Sequence, residues 1–231
     1  MTIYTLCERL RQFMPEKQVK GFSINKLFCG EMPELDYNPF GGLKDEELRF
    51  ILQERYDLME IVKEIEQTKN LIIEFIGKMG RGKTIHLRRL VQLLPNAYYF
   101  NPDFHSIDEM NLNFPIILID DFHKISFFNR MKIMKQHEGV IIHTDHFSSF
   151  ATYLLCNKKW STYVFKGLKA KELKSILLCR IKTVLQEDNQ NIRMDSKQIN
   201  LLLAAFGDDF RGILNYLYGA YRDEIARKLS S

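Results

Sequence analysis

The chain has 231 residues, 45% hydrophobic and 27% charged, with a formal net charge of +4. That size allows one or two domains with a real core, and the composition is globular, which excludes a disordered or fibrous chain. Its apolar runs, such as residues 115–119, fall far short of the roughly 20 residues that span a bilayer, and the mild positive charge permits a nucleic-acid partner without requiring one.

No basic region followed by an apolar stretch opens the chain, so no secretion signal is expected. Cys7, Cys29, Cys156 and Cys179 are scattered, with no C-x-x-C pair. They read as reduced thiols of a cytoplasmic protein without a membrane anchor.

Residues 1–40 carry mixed helical signals broken by Pro15, Pro33 and Pro39. They read as an N-terminal extension and a candidate partner surface. Residues 45–66 read as a helix, because Leu48, Ile51, Leu52 and Leu58, then Ile61, Val62 and Ile65, recur at helical spacing. Leu71-Ile72-Ile73-Glu74-Phe75-Ile76 reads as a buried strand, and Leu87, Leu90, Val91 and Leu94 mark a helix after it. Residues 97–100, 115–120, 139–143 and 162–165 supply four more short strands. Helical segments separate most of them, which predicts a parallel sheet covered on both faces. From residue 168 the pattern is all helix. Leu173, Ile176, Leu177, Ile181 and Val184 mark one helix; Ser196 is placed to cap the next, Gly207 to end it, and Asp208 or Asp209 to cap the last.

Between the first strand and its helix lies Gly77-Lys78-Met79-Gly80-Arg81-Gly82-Lys83-Thr84, a match to the phosphate-binding P-loop G-x-x-x-x-G-K-[ST]. Gly77, Gly80 and Gly82 let successive backbone N–H groups face a phosphate, and the helix beginning near Lys83 adds its positive end. Lys83 supplies a cation for the β- and γ-phosphates, and Thr84 a hydroxyl for Mg²⁺. Lys78, Met79, Arg81 and Ile85 complete the residues expected around the nucleotide. Ile116-Ile117-Leu118-Ile119-Asp120-Asp121 fits a Walker B strand. There Asp120 would hold Mg²⁺ and Asp121 would polarise the attacking water. The same residues also fit a strand followed by a helix N-cap. Thr144, after the strand Val140-Ile141-Ile142-His143, reads as a phosphate sensor or as part of an ordinary loop; a metal site from His143, Asp145 and His146 is a weaker reading. Arg211 falls in the first turn of the last helix, where the dipole opposes a cation, so either an anion lies nearby or the side chain is solvated.

These elements, in this order, resemble the AAA+ ATPases, most nearly their initiator, helicase-loader and clamp-loader branches, over residues 37–225. The resemblance implies an α/β fold: a five-stranded parallel P-loop NTPase sheet sandwiched by helices over 41–167, then a small helical lid over 168–231. It implies the sensor 1 position for Thr144. Gly207-Asp208-Asp209-Phe210-Arg211 looks like the sensor 2 pattern, with Arg211 on the γ-phosphate, and Tyr37-Asn38-Pro39-Phe40 is similar to the segment that packs on adenine. One departure stands out. Between Thr144 and Thr162 there is no Arg to act as a finger on a neighbour's phosphate, only Lys158 and Lys159, and Lys lacks the forked contact. Arg130 is a candidate substitute. Weak hydrolysis is therefore expected.

The expected function is an ATP-binding, Mg²⁺-dependent ATPase acting as a DNA-associated loader, initiator-like factor or transposition regulator. It would cycle between ATP-assembled and ADP states, with a protein partner, DNA and an ATP-dependent homo-oligomer as candidate partners. Lys158, Lys159, Lys166, Lys169, Lys171 and Lys174, with Trp160 and Tyr163 among them, form a candidate DNA contact or a solvated helix face. The alternatives are a regulatory switch acting through a protein and a small-molecule kinase using Arg180, Arg193 and Arg211. No N-K-x-D pattern follows the Walker B strand, which points to ATP over GTP.

Overall fold

The computed structural model describes residues 19–29, 32–33, 35–42, 55–185 and 192–230. Five strands form one sheet: β1 (Leu71–Ile76), β2 (Ala97–Phe100), β3 (Ile116–Ile119), β4 (Val140–Asp145) and β5 (Lys159–Val164). All pair in parallel, in the order β2-β3-β4-β1-β5. Parallel neighbours need crossovers, and helices α2 (Leu58–Gln67), α3 (Lys83–Leu93), α4 (Phe127–Gln136) and α5 (Phe150–Leu155) cover both faces. Alternation along the strands assigns the faces. Leu71, Ile73 and Phe75 of β1 pack with Leu118 and Ile142 under α2 and α3, whereas Ile72 packs with Ile117, Ile119 and Ile141 under α4 and α5.

Strand boundaries differ from the sequence reading, most at β4 and β5. β4 runs on through Thr144 and Asp145, which pair with Phe75 and Ile76 of β1. A polar strand end is invisible to a search for apolar runs. β5 begins at Lys159 and not at residue 162; Lys159 and Ser161 at the start of this edge strand break the apolar run. The long helix expected over 45–66 is also interrupted. Residues 43–54, with Leu48, Ile51 and Leu52, lie outside the described residues. Asp57 is extended and caps α2, accepting from the amides of Met59 at 2.8 Å and Glu60 at 3.4 Å.

The helical lid follows: α6 (Ala170–Lys182), α7 (Ser196–Phe206) and α8 (Phe210–Leu229). Asp195, not Ser196, caps α7, accepting from the Lys197 amide at 2.9 Å, and Asp209 caps α8. Gly207 ends α7 at φ 62°.

The lid core is built from both ends of the chain. Ile24 and Leu27 of the short α1 (Ile24–Leu27), with Phe28, Met32 and Phe40, pack among Leu173, Leu177, Leu202, Ile213 and Leu217. Polar stitches hold this segment in place. The Ser23 amide donates to Gln198 Oε1 at 2.9 Å, Asn25 to Glu224 at 2.7 Å, and the buried Arg180 to the carbonyls of Pro39, at 2.8 Å, and Gly41. Ile24, Leu27, Phe28, Met32 and Phe40 thus lie inside the lid. Leu27 is fully buried, so Leu27→Ala is expected to lower the unfolding free energy by about 3 kcal/mol; urea denaturation of the two proteins measures the difference.

Candidate functional site

The first strand ends at Ile76 and the chain turns through six residues into α3. Gly77 has φ 146°, and a Cβ there would lie 2.4 Å from the Phe165 carbonyl oxygen, where the chain leaves β5 for the lid. Gly82, at φ 88°, is left-handed and forms the N-cap of α3. The loop is therefore a compact turn whose amides open the helix. A phosphate fits such a turn, because amide N–H groups and a helix N-terminus together favour an anion.

Lys83 is the first residue of α3 and is nearly buried. Its Nζ donates to the carbonyls of Gly77 at 2.5 Å and Lys78 at 3.0 Å. Burial pushes its pKa down from the ordinary lysine value, while Asp121 and Asp120 pull it back up.

The acidic end of β3 lies opposite. β4 sits between β1 and β3, so its C-terminal residues fall between the loop and the acids. Asp120 continues the face of Leu118, and Thr144 that of Ile142; both face α3. Asp120 is buried. Its Oδ1 accepts from Thr144 Oγ1 at 2.6 Å, Thr84 Oγ1 at 3.1 Å and the Asp121 amide at 3.2 Å. Thr144 in turn accepts from the Asp121 amide at 2.7 Å. Thr84, Asp120 and Thr144 are thus brought together. The hydroxyl of Thr84 beside a buried carboxylate is an all-oxygen donor set, which suits Mg²⁺.

Asp121 is left-handed, at φ 49°, and its Oδ2 accepts from Lys124 Nζ at 2.9 Å. The same ammonium binds Asp103, in the loop after β2, and this bond is the leading cause that raises its pKa. Sequence reading missed Lys124, which lies one helical turn beyond Asp121 in a stretch without a motif.

The lid meets the loop directly. Arg81 pairs with Asp208 and donates to the Phe165 carbonyl at 3.0 Å. The Arg81 bond holds the Asp208 carboxyl below the usual range. The start of α8 abuts Gly80: a Cβ there would lie 3.1 Å from Asp209 Oδ1 and 3.6 Å from the Arg211 amide. Arg211 is exposed on that first turn, and Lys78 and Met79 are exposed on the loop. Phe40 sits apart from the loop contacts, 2% exposed within the lid core and edge-on to Tyr221. Ile85 is half-buried on α3.

Other candidates are turned inward. Arg130 Nη1 lies 3.9 Å from Asp145 Oδ2, its guanidinium over the Phe122 ring. Lys158 is buried and donates to the His137 carbonyl, whereas Lys159, Lys166, Lys169 and Lys171 are exposed. His143 and His146 diverge: His143 Nε2 meets Tyr153 Oη at 2.8 Å, and His146 Nδ1 meets the Gly77 carbonyl at 3.3 Å.

A buried network behind the loop was also missed. Glu74, fully buried in β1, accepts from Tyr153 Oη and Thr162 Oγ1, each at 2.6 Å, from Ser148 Oγ, and from the Ser149 amide at 3.3 Å. These bonds satisfy a carboxylate that would be costly to bury alone. They tie the segment after β4 to the strand that carries the P-loop.

A parallel sheet in this order, a glycine loop after β1, acids at the end of β3 facing that loop across β4, and a helical lid over it define the architecture. The chain has a five-stranded parallel α/β sheet domain with a helical lid, the architecture that the resemblance to AAA+ ATPases implies.

No family model and no curated protein matches the chain. Similar solved structures include a DNA replication initiation factor, at 17% identity over 84% of this chain and 70% of that one, with a TM-score of 0.48. The ORC1 protein of Aeropyrum pernix, solved in complex with DNA, is 19% identical over 88% of this chain and 69% of its own, with a TM-score of 0.49. A STAND signal-transduction ATPase with a tetratricopeptide repeat sensor, from Pyrococcus horikoshii, is 18% identical over 69% of this chain and 29% of its own, with a TM-score of 0.39. The functional reading rests on the site itself.

The P-loop helix also carries a titration signature. His86 Nε2 accepts from the Arg55 amide at 3.2 Å, so its Nδ1–H donates to the Gly82 carbonyl at 2.8 Å, and burial depresses its pKa to about 4. Unfolded, this imidazole takes up a proton near pH 6.5; folded, it resists until about pH 4. Its contribution is present above pH 6.5 and is lost at about 1.4 kcal/mol per pH unit as pH falls through that window. His86→Gln should flatten the pH dependence of unfolding by that slope, as read from urea midpoints at pH 7, 6 and 5.

Proposed function

We propose that the chain binds ATP with Mg²⁺ and hydrolyses it, as an AAA+ ATPase of the initiator and helicase-loader kind acting in the cytoplasm. The observation that carries this reading is the Asp120 carboxylate, bonded to Thr84 of the P-loop helix and to Thr144 of β4, with Lys83 across from it. Amides of residues 80–84 and the N-terminus of α3 bind the phosphates. Lys83 exchanges its carbonyl partners for the β- and γ-phosphates. Thr84 and Asp120 would hold the metal, which would supply positive charge against the negative phosphates. Asp121 orients a water and takes its proton as the oxygen attacks the γ-phosphorus; ADP leaves with the bridging oxygen. Thr144 links Asp120 to the Asp121 amide and so communicates the state of the site along β4. Arg211, in the first turn of α8 above Gly80, is the lid cation that answers the γ-phosphate, and the Arg81–Asp208 pair links the loop to the lid.

In this reading ATP fixes an assembled state and hydrolysis resets it. Exposed Lys159, Lys166, Lys169 and Lys171, with Trp160 39% exposed beside them, give a basic surface with an aromatic, suited to DNA. A second reading, a switch acting through a protein partner, is favoured by the inward pairing of Arg130 with Asp145, which leaves it unsuited to reach a neighbouring subunit. A kinase is disfavoured, because Arg180 is buried against the carbonyls of Pro39 and Gly41 and not available to an acceptor phosphate.

Lys83→Ala is expected to abolish ATP binding in equilibrium titration; tight binding by that variant would overturn the assignment. Asp121→Asn should keep binding and lose at least 100-fold in phosphate release, within the range assigned to general base catalysis. DNA-stimulated turnover, with assembly on a non-hydrolysable analogue, supports the loader reading, whereas a stable monomer indifferent to DNA supports the protein switch.

A further inference from the structure

Asp120 is held from a direction that the motif does not contain. β2 is the outermost strand on its side of the sheet, and Tyr99 pairs there with Leu118, two residues before Asp120. Tyr99 therefore shares the face of Leu118 and Asp120, and its ring packs on the cluster under α3. Its hydroxyl donates to Asp120 Oδ2 at 3.1 Å. The Thr84, Thr144 and Asp121 donors all converge on Oδ1; among the described residues, Tyr99 is the donor that reaches Oδ2.

That division has a mechanical consequence. The terminal torsion of an aspartate is broad and nearly two-fold. Three donors on one oxygen leave the carboxylate free to pivot about it, and a donor on the second oxygen stops the pivot. We propose that Tyr99 is a positioning residue that fixes the plane of the Asp120 carboxylate and thereby sets the affinity of the site for Mg²⁺ in the nucleotide complex. This rests on the reading of Thr84 and Asp120 as the metal-holding pair.

The phenol is suited to the task. Burial, and then the Asp120 charge, push its pKa above the ordinary tyrosine range, so it remains a donor. Asn101, buried at the end of the same strand, accepts from the Asp103 amide at 2.9 Å through its Oδ1. Through Tyr99, β2 thus supports the metal-holding acid. Partners that orient a metal-holding carboxylate typically change metal affinity by 10- to 100-fold.

The test is ATP affinity measured by titration with Mg²⁺ and again in EDTA, for the wild type, Tyr99→Phe, Asp120→Asn and the double variant, with thermal melts of each. Tyr99→Phe keeps the ring and removes the donor. The expected result is an EDTA affinity and a melt near wild type, with the Mg²⁺-dependent gain in affinity reduced about 10-fold or more. The double variant should lose no more of that gain than Asp120→Asn alone. An unchanged Mg²⁺ gain in Tyr99→Phe, an equal loss with and without Mg²⁺, or additive losses in the double variant would each overturn the proposal. If wild type and Asp120→Asn gain equally from Mg²⁺, the metal-holding role of Asp120 fails instead, and that of Tyr99 with it.

Discussion

One buried carboxylate joins the parts of this site. Asp120 lies where β2, β3, β4 and the P-loop helix converge, and accepts a hydrogen bond from a side chain of each of the other three: Tyr99, Thr144 and Thr84. An anion without these donors would be costly at 2% exposure. The insertion of β4 between β1 and β3 makes the arrangement possible, since it places Thr144 between loop and acid. Had β3 paired directly with β1, Thr144 could not bridge them. Strand order therefore acts here as a chemical constraint, and the positive φ values at Gly77, Gly82 and Asp121 serve the same convergence.

A second layer of polar contacts supports the first. Glu74 fastens the segment after β4 to β1, and Lys124 ties Asp121 to the loop after β2. Glu74 holds the strand that leads into the glycine loop and Lys124 holds Asp121, in keeping with the general need for rigid support behind a reactive group.

Legibility in the sequence followed the distance over which each signal acts. The P-loop is a local pattern, eight residues bounded by a strand and a helix, and its outline was readable. So was the alternation of strands and helices, because a buried parallel strand is a short apolar run. Polar strand ends were not: Thr144 and Asp145 belong to β4 through pairing with β1, which no local pattern shows. Glu74 was hidden in the opposite way, an acid inside an apolar strand whose partners lie more than 70 residues away. Phe40 illustrates a third limit. Its segment reads as a nucleotide contact, yet an aromatic can also fill a core, and the lid core claims its ring.

The lid is assembled from two stretches of sequence with the whole sheet between them. Ile24, Leu27, Phe28, Met32 and Phe40 share one core with Leu173, Leu177, Ile213 and Tyr221, and hydrogen bonds such as Asn25 to Glu224, 199 positions apart, join the two. Contacts of such long sequence separation form slowly, because the intervening chain must be ordered or looped out first. During synthesis the sheet can complete its strands while α7 and α8 are still being made, and the early apolar residues must wait for them. The early strap is therefore locked into place only when α8 arrives to close the lid over it.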